Sequence, residues 1–178
     1  MLRTRVGYAG GMTAAPTYRS IGDHSEAIEI DFDPTLISYA DLLENFFATH
    51  NACRAPYSTQ YRSAIFTHGD KQQASARKAA ERIAAERGQA VATAIESHTG
   101  FTLAEDYHQK YILQADPSVM TELQEFYPTM AQLLESTAVT RANAFLGGNA
   151  TRRVVDADLP RMGLSEDVQQ RIRTRLFE

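Results

Sequence analysis

The sequence of 178 residues contains no tryptophan and one cysteine, Cys53. A single thiol excludes an intrachain disulfide and a cysteine-based zinc site, and with them the class of small secreted proteins built on disulfides. The five histidines show no metal-ligand spacing such as His-Glu-x-x-His, so we expect no metal. Gly7, Gly10 and Gly11 fit neither nucleotide-binding fingerprint, and we expect no organic cofactor.

Long apolar runs are missing as well. No stretch approaches the roughly 18 to 20 apolar residues that a membrane span needs, and no apolar core of a signal peptide follows residues 1–5. Lys and Arg number 18 against 22 Asp and Glu, which gives a net charge of −4. This balance gives no electrostatic reason to expect nucleic acid or an anionic membrane as a partner. We therefore expect a cytosolic protein with no nucleic-acid or membrane partner.

Strand and helix patterns alternate through the first 115 residues. Residues 26–32 alternate polar and apolar side chains, which is typical of a half-buried strand. Ser38 is expected to cap an amphipathic helix over residues 39–49. Asp70 is expected to cap a long helix that ends at Gly88. Further strands are predicted at residues 3–8, 61–67 and 91–96, and a helix at 104–113.

The last third of the chain has a helical pattern. Residues 118–140 predict one or two helices broken near Pro128, and residues 165–177 predict a terminal helix with Ser165 as its cap. The order of the elements is typical of an α+β or α/β domain followed by helices. We predict an α+β fold with a mixed-sheet, two-layer sandwich core and a helical C-terminal extension.

Seven short segments, in order and covering about residues 3–113, resemble the A-type peptide methionine sulfoxide reductases. They are Thr4-Arg5-Val6-Gly7-Tyr8-Ala9-Gly10-Gly11, Pro16-Thr17-Tyr18, His24-Ser25-Glu26, Asp33-Pro34 with Ile37-Ser38-Tyr39, Leu42-Leu43 to Phe46-Phe47, Gln60-Tyr61-Arg62-Ser63-Ala64-Ile65, and Ala104-Glu105-Asp106-Tyr107-His108-Gln109-Lys110-Tyr111. The resemblance implies residues 1–117 as a reductase-like domain and residues 118–178 as a helical extension.

The resemblance implies an oxidoreductase that repairs oxidised methionine under oxidative stress. Such enzymes reduce the S-epimer of methionine sulfoxide, free or in proteins, and a thioredoxin-type reductant then restores the thiol. By position in the matching segments, Glu26 corresponds to the acid that protonates the departing oxygen. Tyr18 and Tyr61 correspond to the two tyrosines that bind that oxygen. Without the resemblance, the sequence pattern leaves a simpler interpretation open. In it, Glu26 faces solvent on an alternating strand and both tyrosines serve in packing.

The segment that carries the nucleophile in this family, Gly-Cys-Phe-Trp-Gly, is absent from the sequence. In the family it lies between a strand and a helix that precede the segment matched by residues 4–11. We expect that this strand and helix are missing because the chain is truncated at its N-terminus, and that the true product is longer. The chain as given is then expected to be inactive, because the nucleophilic cysteine is absent.

Cys53 is the one thiol that could substitute for the nucleophile. It precedes Tyr61 by eight positions, and Arg54 beside it could lower a thiol pKa. The simpler interpretation is an ordinary lone cysteine that is inert or incidentally exposed. Three hypotheses remain: a reductase whose nucleophile lies upstream, a catalytically dead module that binds oxidised methionine, and a fragment that does not fold stably by itself.

Overall fold

The computed structural model describes residues 1–177, and this part of the chain divides into two compact units. One unit comprises residues 6–105, and the other comprises residues 1–5 together with residues from 106 onward. Helices and strands occur together, and the predicted α+β class is confirmed. The boundary at 117/118 that follows from the resemblance stays a prediction. Within residues 1–177, no helix is both long and apolar enough to cross a bilayer.

The strands form two small sheets among the described residues. The first has the order β2–β1–β5, with β1 at Arg3–Ala9, β2 at Ser25–Asp31 and β5 at Phe101–Leu103. Strands β1 and β5 run antiparallel, and Tyr8 is paired with Thr102. The second sheet pairs β3 (Ala64–Thr67) with β4 (Ala94–Ser97) in parallel. The polar and apolar alternation at residues 26–32 therefore predicted β2 correctly, to within one residue at each end.

Two helices belong to the unit of residues 6–105. Helix α1 (Tyr39–Ala48) begins after Ser38, which is the predicted cap. Ser38 and Asp41 form a capping box in which each side chain satisfies the other residue's backbone amide. Helix α2 (Asp70–Arg87) ends at Gly88, whose φ of 61° is in the left-handed region that favours glycine. Its apolar face packs with α1 in a small core formed by Phe47, Ala52 and Ile83.

The prediction that Asp70 caps α2 is wrong. Gly69 occupies the N-cap position with a φ of 91°, and Asp70 is the first helical residue. A carboxylate in the first helical turn is still favourable, because it lies near the positive end of the helix dipole. The sequence pattern therefore predicted the start of the helix to within one residue, with the wrong residue as its cap.

The second unit is helical, and its core is larger. It contains α3 (Tyr111–Gln114), α4 (Pro117–Phe126), α5 (Met130–Glu135), α6 (Thr137–Leu146), α7 (Arg152–Asp158) and α8 (Glu166–Phe177). Fully buried side chains from each of the helices α3 to α8 meet in one cluster that includes Leu113, Leu123, Leu133, Val139, Val155 and Ile172. The predicted break near Pro128 is confirmed, because α4 ends before this residue and Thr129 caps α5.

The helix predicted over residues 104–113 is wrong. The chain instead forms a short 3-10 turn at Asp106–His108, passes through Lys110 with a φ of 48°, and begins α3 at Tyr111. A left-handed residue interrupts an α-helix. The buried ammonium group of Lys110 accounts for the break, since it donates to the Thr4 carbonyl, the Thr4 hydroxyl and the Thr140 hydroxyl.

Candidate functional site

Glu26 and Gln60 are joined by two hydrogen bonds in the unit of residues 6–105. The backbone amide of Glu26, in β2, donates to the carbonyl of Gln60 over 2.9 Å. The side-chain amide of Gln60 donates back to Glu26 Oε1 over 2.8 Å. The carboxylate of Glu26 is therefore oriented by the segment that immediately precedes Tyr61.

The same amide nitrogen of Gln60 also reaches the second predicted residue. Gln60 Nε2 lies 3.0 Å from the hydroxyl of Tyr61. Because an amide NH₂ carries two protons, one side chain can donate both to Glu26 and to Tyr61. Gln60 thus bridges the carboxylate and the phenol.

Tyr18 completes the group of hydroxyls. Its Oη lies 3.3 Å from Oη of Tyr61. Its backbone amide donates to Glu105 Oε1 over 3.0 Å, and Glu105 also accepts from the hydroxyl of buried Tyr8 over 2.6 Å. The loop that carries Tyr18 is therefore fixed to a carboxylate anchored on β1.

Asp23 holds another part of this loop. Its carboxylate accepts from the backbone amides of Met12 and Thr13 and from the Thr13 hydroxyl. The hydrogen bond from the Thr13 hydroxyl, followed by the two backbone amides, holds the pKa of Asp23 well below its usual range. Asp23, which lies between the two predicted site residues Tyr18 and Glu26, is therefore hydrogen-bonded to the start of this loop.

The hydrogen bond between the tyrosines also changes their acidity. It is the first cause that raises the pKa of Tyr61 from 10.0 to about 12, with burial and the nearby charge of Glu26 adding to it. Since Gln60 donates to Tyr61 Oη, the proton of Tyr61 is available for Tyr18. Tyr61 is 44% exposed and Tyr18 is 39% exposed, so two protonated phenols and a carboxylate are open to a ligand from solvent.

The backbone on both sides of this group is fixed by Arg62 and Ser25. The buried hydroxyl of Ser25 donates to the carbonyl of Thr59 over 2.9 Å and accepts from Arg62 Nε over 2.7 Å. The guanidinium of Arg62 makes two parallel hydrogen bonds to Glu96 on β4, at 2.5 and 2.8 Å. A bidentate pair of this kind restricts both distance and orientation.

Cys53 has a different set of contacts. Its side chain is buried, with 8% exposure, and its Sγ lies 3.7 Å from the carbonyl oxygen of Gln89. Its backbone amide donates to the side chain of Asn51. Glu26, Tyr18 and Tyr61 are thus linked to one another through hydrogen bonds, and the thiol lies in the loop packed near the end of α2.

A cavity of about 320 Å³ opens beside Glu26. Its lining is mostly apolar and aromatic and includes Phe32, Phe46, Phe66 and Phe101. The hydroxyl of Tyr39, which also lines the cavity, is buried, and burial raises the pKa of this phenol. Glu29, His68 and His98 also line this cavity.

Two residues that the sequence did not single out contribute to the arrangement. Gln60 and Glu105 both occur in segments of the resemblance, but only as neighbours of other residues. Their positions in adjacent segments gave no signal that Gln60 would bridge a strand and a loop, or that Glu105 would accept from a loop 87 positions away. The pairings result from tertiary structure.

Comparisons with known proteins agree on one family. The sequence model of the family described as peptide methionine sulfoxide reductase matches residues 1–140. The chain is 39% identical over 175 residues to the peptide methionine sulfoxide reductase of Drosophila melanogaster, which covers 96% of this chain and 69% of the relative. The match thus continues through the helical unit. The chain spans 59% to 69% of the lengths of three curated relatives.

Solved structures give the same result for the fold. Methionine sulfoxide reductase A of Corynebacterium diphtheriae is similar with a TM-score of 0.56 and 32% identity, over 64% of this chain and 63% of that one. Reduced Mxr1 of Saccharomyces cerevisiae gives a TM-score of 0.58 and 29% identity, over 64% of this chain and 71% of that one.

Proposed function

The chain belongs to the peptide methionine sulfoxide reductase family, and on that premise we propose that Glu26, Tyr18 and Tyr61 form its recognition site for methionine S-sulfoxide. The substrate is the free amino acid or an oxidised methionine within a protein. The reaction to which this site contributes is a thiol-dependent reduction, and its biological role is the repair of proteins after oxidative stress.

The observation that carries this proposal is the chain of hydrogen bonds from Glu26 through Gln60 to Tyr61 and Tyr18. A sulfoxide oxygen is a strong acceptor, and two phenol hydroxyls 3.3 Å apart offer it two donors. A carboxylic acid on the other side of Gln60 supplies the proton that the departing oxygen takes up. These are the groups needed to bind and protonate the oxygen of a sulfoxide.

The chemical step requires a thiol in addition. A thiolate attacks the sulfoxide sulfur, the oxygen passes to the thiol sulfur with a proton from the acid, and methionine and a cysteine sulfenic acid result. Two further thiols reduce the sulfenic acid, with release of water and formation of a disulfide; a thioredoxin-type protein is the expected donor. Cys53, the sole cysteine, is buried against Gln89. We therefore propose that the 178-residue chain binds the substrate without turning it over.

The second candidate function is a catalytically dead module that binds oxidised methionine. The observation in its favour is that Tyr18, Tyr61 and Gln60 are linked by hydrogen bonds, while the thiol of Cys53 contacts Gln89. Both candidates require binding of the S-epimer. They differ in whether a nucleophile outside these 178 residues acts on the bound substrate.

Binding is measured by calorimetric titration with the S- and R-epimers of N-acetyl-methionine sulfoxide methylamide. We expect binding of the S-epimer, weakened at least about fivefold in Tyr18→Phe and in Tyr61→Phe, because each change removes one hydroxyl donor worth about 1 kcal/mol. Tyr111→Phe is the matched control, since Tyr111 is an exposed tyrosine of α3. Equal affinity for both epimers, or unchanged affinity in both variants, contradicts the proposed site.

Turnover is measured separately, with dithiothreitol as the reductant and methionine formation as the readout. We expect no turnover by the 178-residue chain, and the same result for Cys53→Ser. Turnover specific for the S-epimer that is lost in Cys53→Ser would show that Cys53 acts as the nucleophile, and would disprove the proposed inactivity.

A further inference from the structure

The parallel pairing of β3 and β4 brings two histidines together that are 30 positions apart in the sequence. The register pairs Thr67 with Ser97, the last residue of each strand. His68 and His98 directly follow these residues, and the backbone amide of His98 donates to the carbonyl of Thr67 over 3.0 Å. The two imidazoles therefore emerge side by side at one end of the sheet, with ring centroids 4.3 Å apart.

A carboxylate from another strand meets these rings. Glu29, in β2, offers an oxygen that lies within 4.8 Å of a ligand atom of each histidine, and the two histidine atoms lie within the same distance of each other. Ligands of a tetrahedral zinc ion at about 2.0 to 2.2 Å are separated by roughly 3.3 Å. The three atoms must then approach by at most about 1.5 Å, which small side-chain rotations provide. Among the residues that the structure describes, no other set of three such ligands is this close.

The environment of His98 supplies an independent reason for a ligand. Its Nε2 atom is buried and, among residues 1–177, has no hydrogen-bond partner. A buried polar nitrogen without a partner is costly, and native structures seldom leave one unsatisfied. His68 is exposed, so the group is open to solvent on one side. A metal ion bound through Nε2 of His98 would give this atom the partner it lacks.

We propose that Glu29, His68 and His98 bind a divalent transition-metal ion of the Zn²⁺ type. Two imidazoles and one carboxylate are borderline donors that suit Zn²⁺ and neighbouring transition metals, whereas Ca²⁺ and Mg²⁺ require oxygen ligands. Three protein ligands leave the fourth position to water. Since Glu29 lies in the β2–β1–β5 sheet and the histidines follow β3 and β4, the ion cross-links the two sheets.

The site shares no residue with the proposed sulfoxide site, and its ligands do not include the thiol. The metal is therefore expected to act on stability and not on sulfoxide recognition. A ligand that binds only the folded protein raises its thermal stability. Failure of one proposal leaves the other intact, because sulfoxide affinity and metal affinity are measured on different variants.

The test uses the full 178-residue chain after treatment with a chelator. Calorimetric titration with Zn²⁺ is expected to give one equivalent bound and a higher melting temperature. Replacement of Zn²⁺ by Co²⁺ is expected to give the visible d–d absorption of a four-coordinate site with nitrogen and oxygen ligands. His68→Asn, His98→Asn and Glu29→Gln are each expected to weaken Zn²⁺ binding at least about tenfold, because each removes one of three ligands.

His108→Asn is the control for adventitious binding by a histidine, since His108 belongs to the other compact unit. Circular dichroism of each variant shows that it is folded, and His68→Asn is the decisive one because His68 is exposed. No stoichiometric binding of Zn²⁺ to the unaltered chain overturns the proposal. Zn²⁺ binding that is unchanged in His68→Asn and Glu29→Gln also overturns it. The same holds if His108→Asn weakens binding as much as the ligand variants do.

Discussion

The contact between two phenols decides the acidity of Tyr61. Because Tyr61 shares a hydrogen bond with Tyr18, its neutral form is favoured and its pKa is raised to about 12. Tyr18→Phe removes the largest cause of this shift, so we expect the pKa of Tyr61 to fall toward the ordinary value of 10.0. The folded state of the unaltered chain holds a proton between pH 10 and about 12 that the unfolded state has lost, so this contribution to stability declines as the pH rises through that window.

Titration followed by NMR of the ring carbon bonded to oxygen resolves Tyr61 from the other tyrosines. Tyr111→Phe serves as the control, because Tyr111 belongs to the other compact unit and contributes nothing to the shift. If the titration of Tyr61 is the same in Tyr18→Phe as in the unaltered chain, the hydrogen bond between the hydroxyls is not the source of the shift.

The sequence predicted individual site residues through their short segments, and it could not predict the links between them. The resemblance singled out Tyr18, Glu26 and Tyr61 as a group, and their roles stay a prediction. The bridging amide of Gln60 depends on where β2 meets the following loop, which no local pattern encodes. The proximity of His68 and His98 likewise depends on the register of two parallel strands, and sequence spacing does not reveal it.

At the scale of helices and strands, local capping chemistry was the most predictable feature. The cap at Ser38 was correctly predicted because its side chain and the amide that donates to it lie within four positions of each other. Strand β5 was not predicted, since three residues are too short for a period-2 pattern. The helix predicted through Lys110 was wrong because the burial of that side chain, with partners over 100 and 30 positions away, overrides local propensity.

The N-terminus of α4 offers the clearest test at this scale. Asp116 is 1% exposed, caps the helix through the amide of Val119, and accepts from Arg171 Nε at 2.9 and 3.0 Å. We expect Asp116→Ala to lower the free energy of unfolding by about 1 to 3 kcal/mol, because a cap and a charge-assisted hydrogen bond are lost together. Urea denaturation followed by circular dichroism measures the change.

Arg173→Ala is the matched control for Asp116→Ala. Arg173 lies on α8, the helix that also carries Arg171. Its partner Asp156 is half exposed, and the two groups lie 3.3 Å apart. Solvent screening limits such a pair to less than about 1 kcal/mol. Equal losses of stability in both variants would show that Asp116 contributes only as an ordinary surface ion pair.

At the scale of the whole molecule, the two compact units differ in how they are stabilised. The helical unit has one extended cluster of buried apolar side chains, whereas the cluster between α1 and α2 contains three buried residues, namely Phe47, Ala52 and Ile83. Apolar burial stabilises by roughly 25 cal/mol per Å², so the larger cluster is expected to contribute more. The unit with the smaller cluster carries both proposed sites, and there hydrogen bonds and the proposed metal ion supplement apolar packing.

The buried ammonium group of Lys110 makes global stability depend on pH. Burial, and then the charge of Arg5, lowers its pKa from 10.5 to about 8. Between these values the folded state has lost a proton that the unfolded state retains, so the free energy of unfolding rises as the pH increases from about 8 to 10.5. At about 1.4 kcal/mol per pKa unit, we expect a gain of about 1 to 3 kcal/mol. Lys110→Met keeps the apolar stem and lacks the titrating group, so urea unfolding at pH 7, 8, 9 and 10 should show this rise in the unaltered chain only. A parallel pH profile in the variant would assign the dependence to other groups.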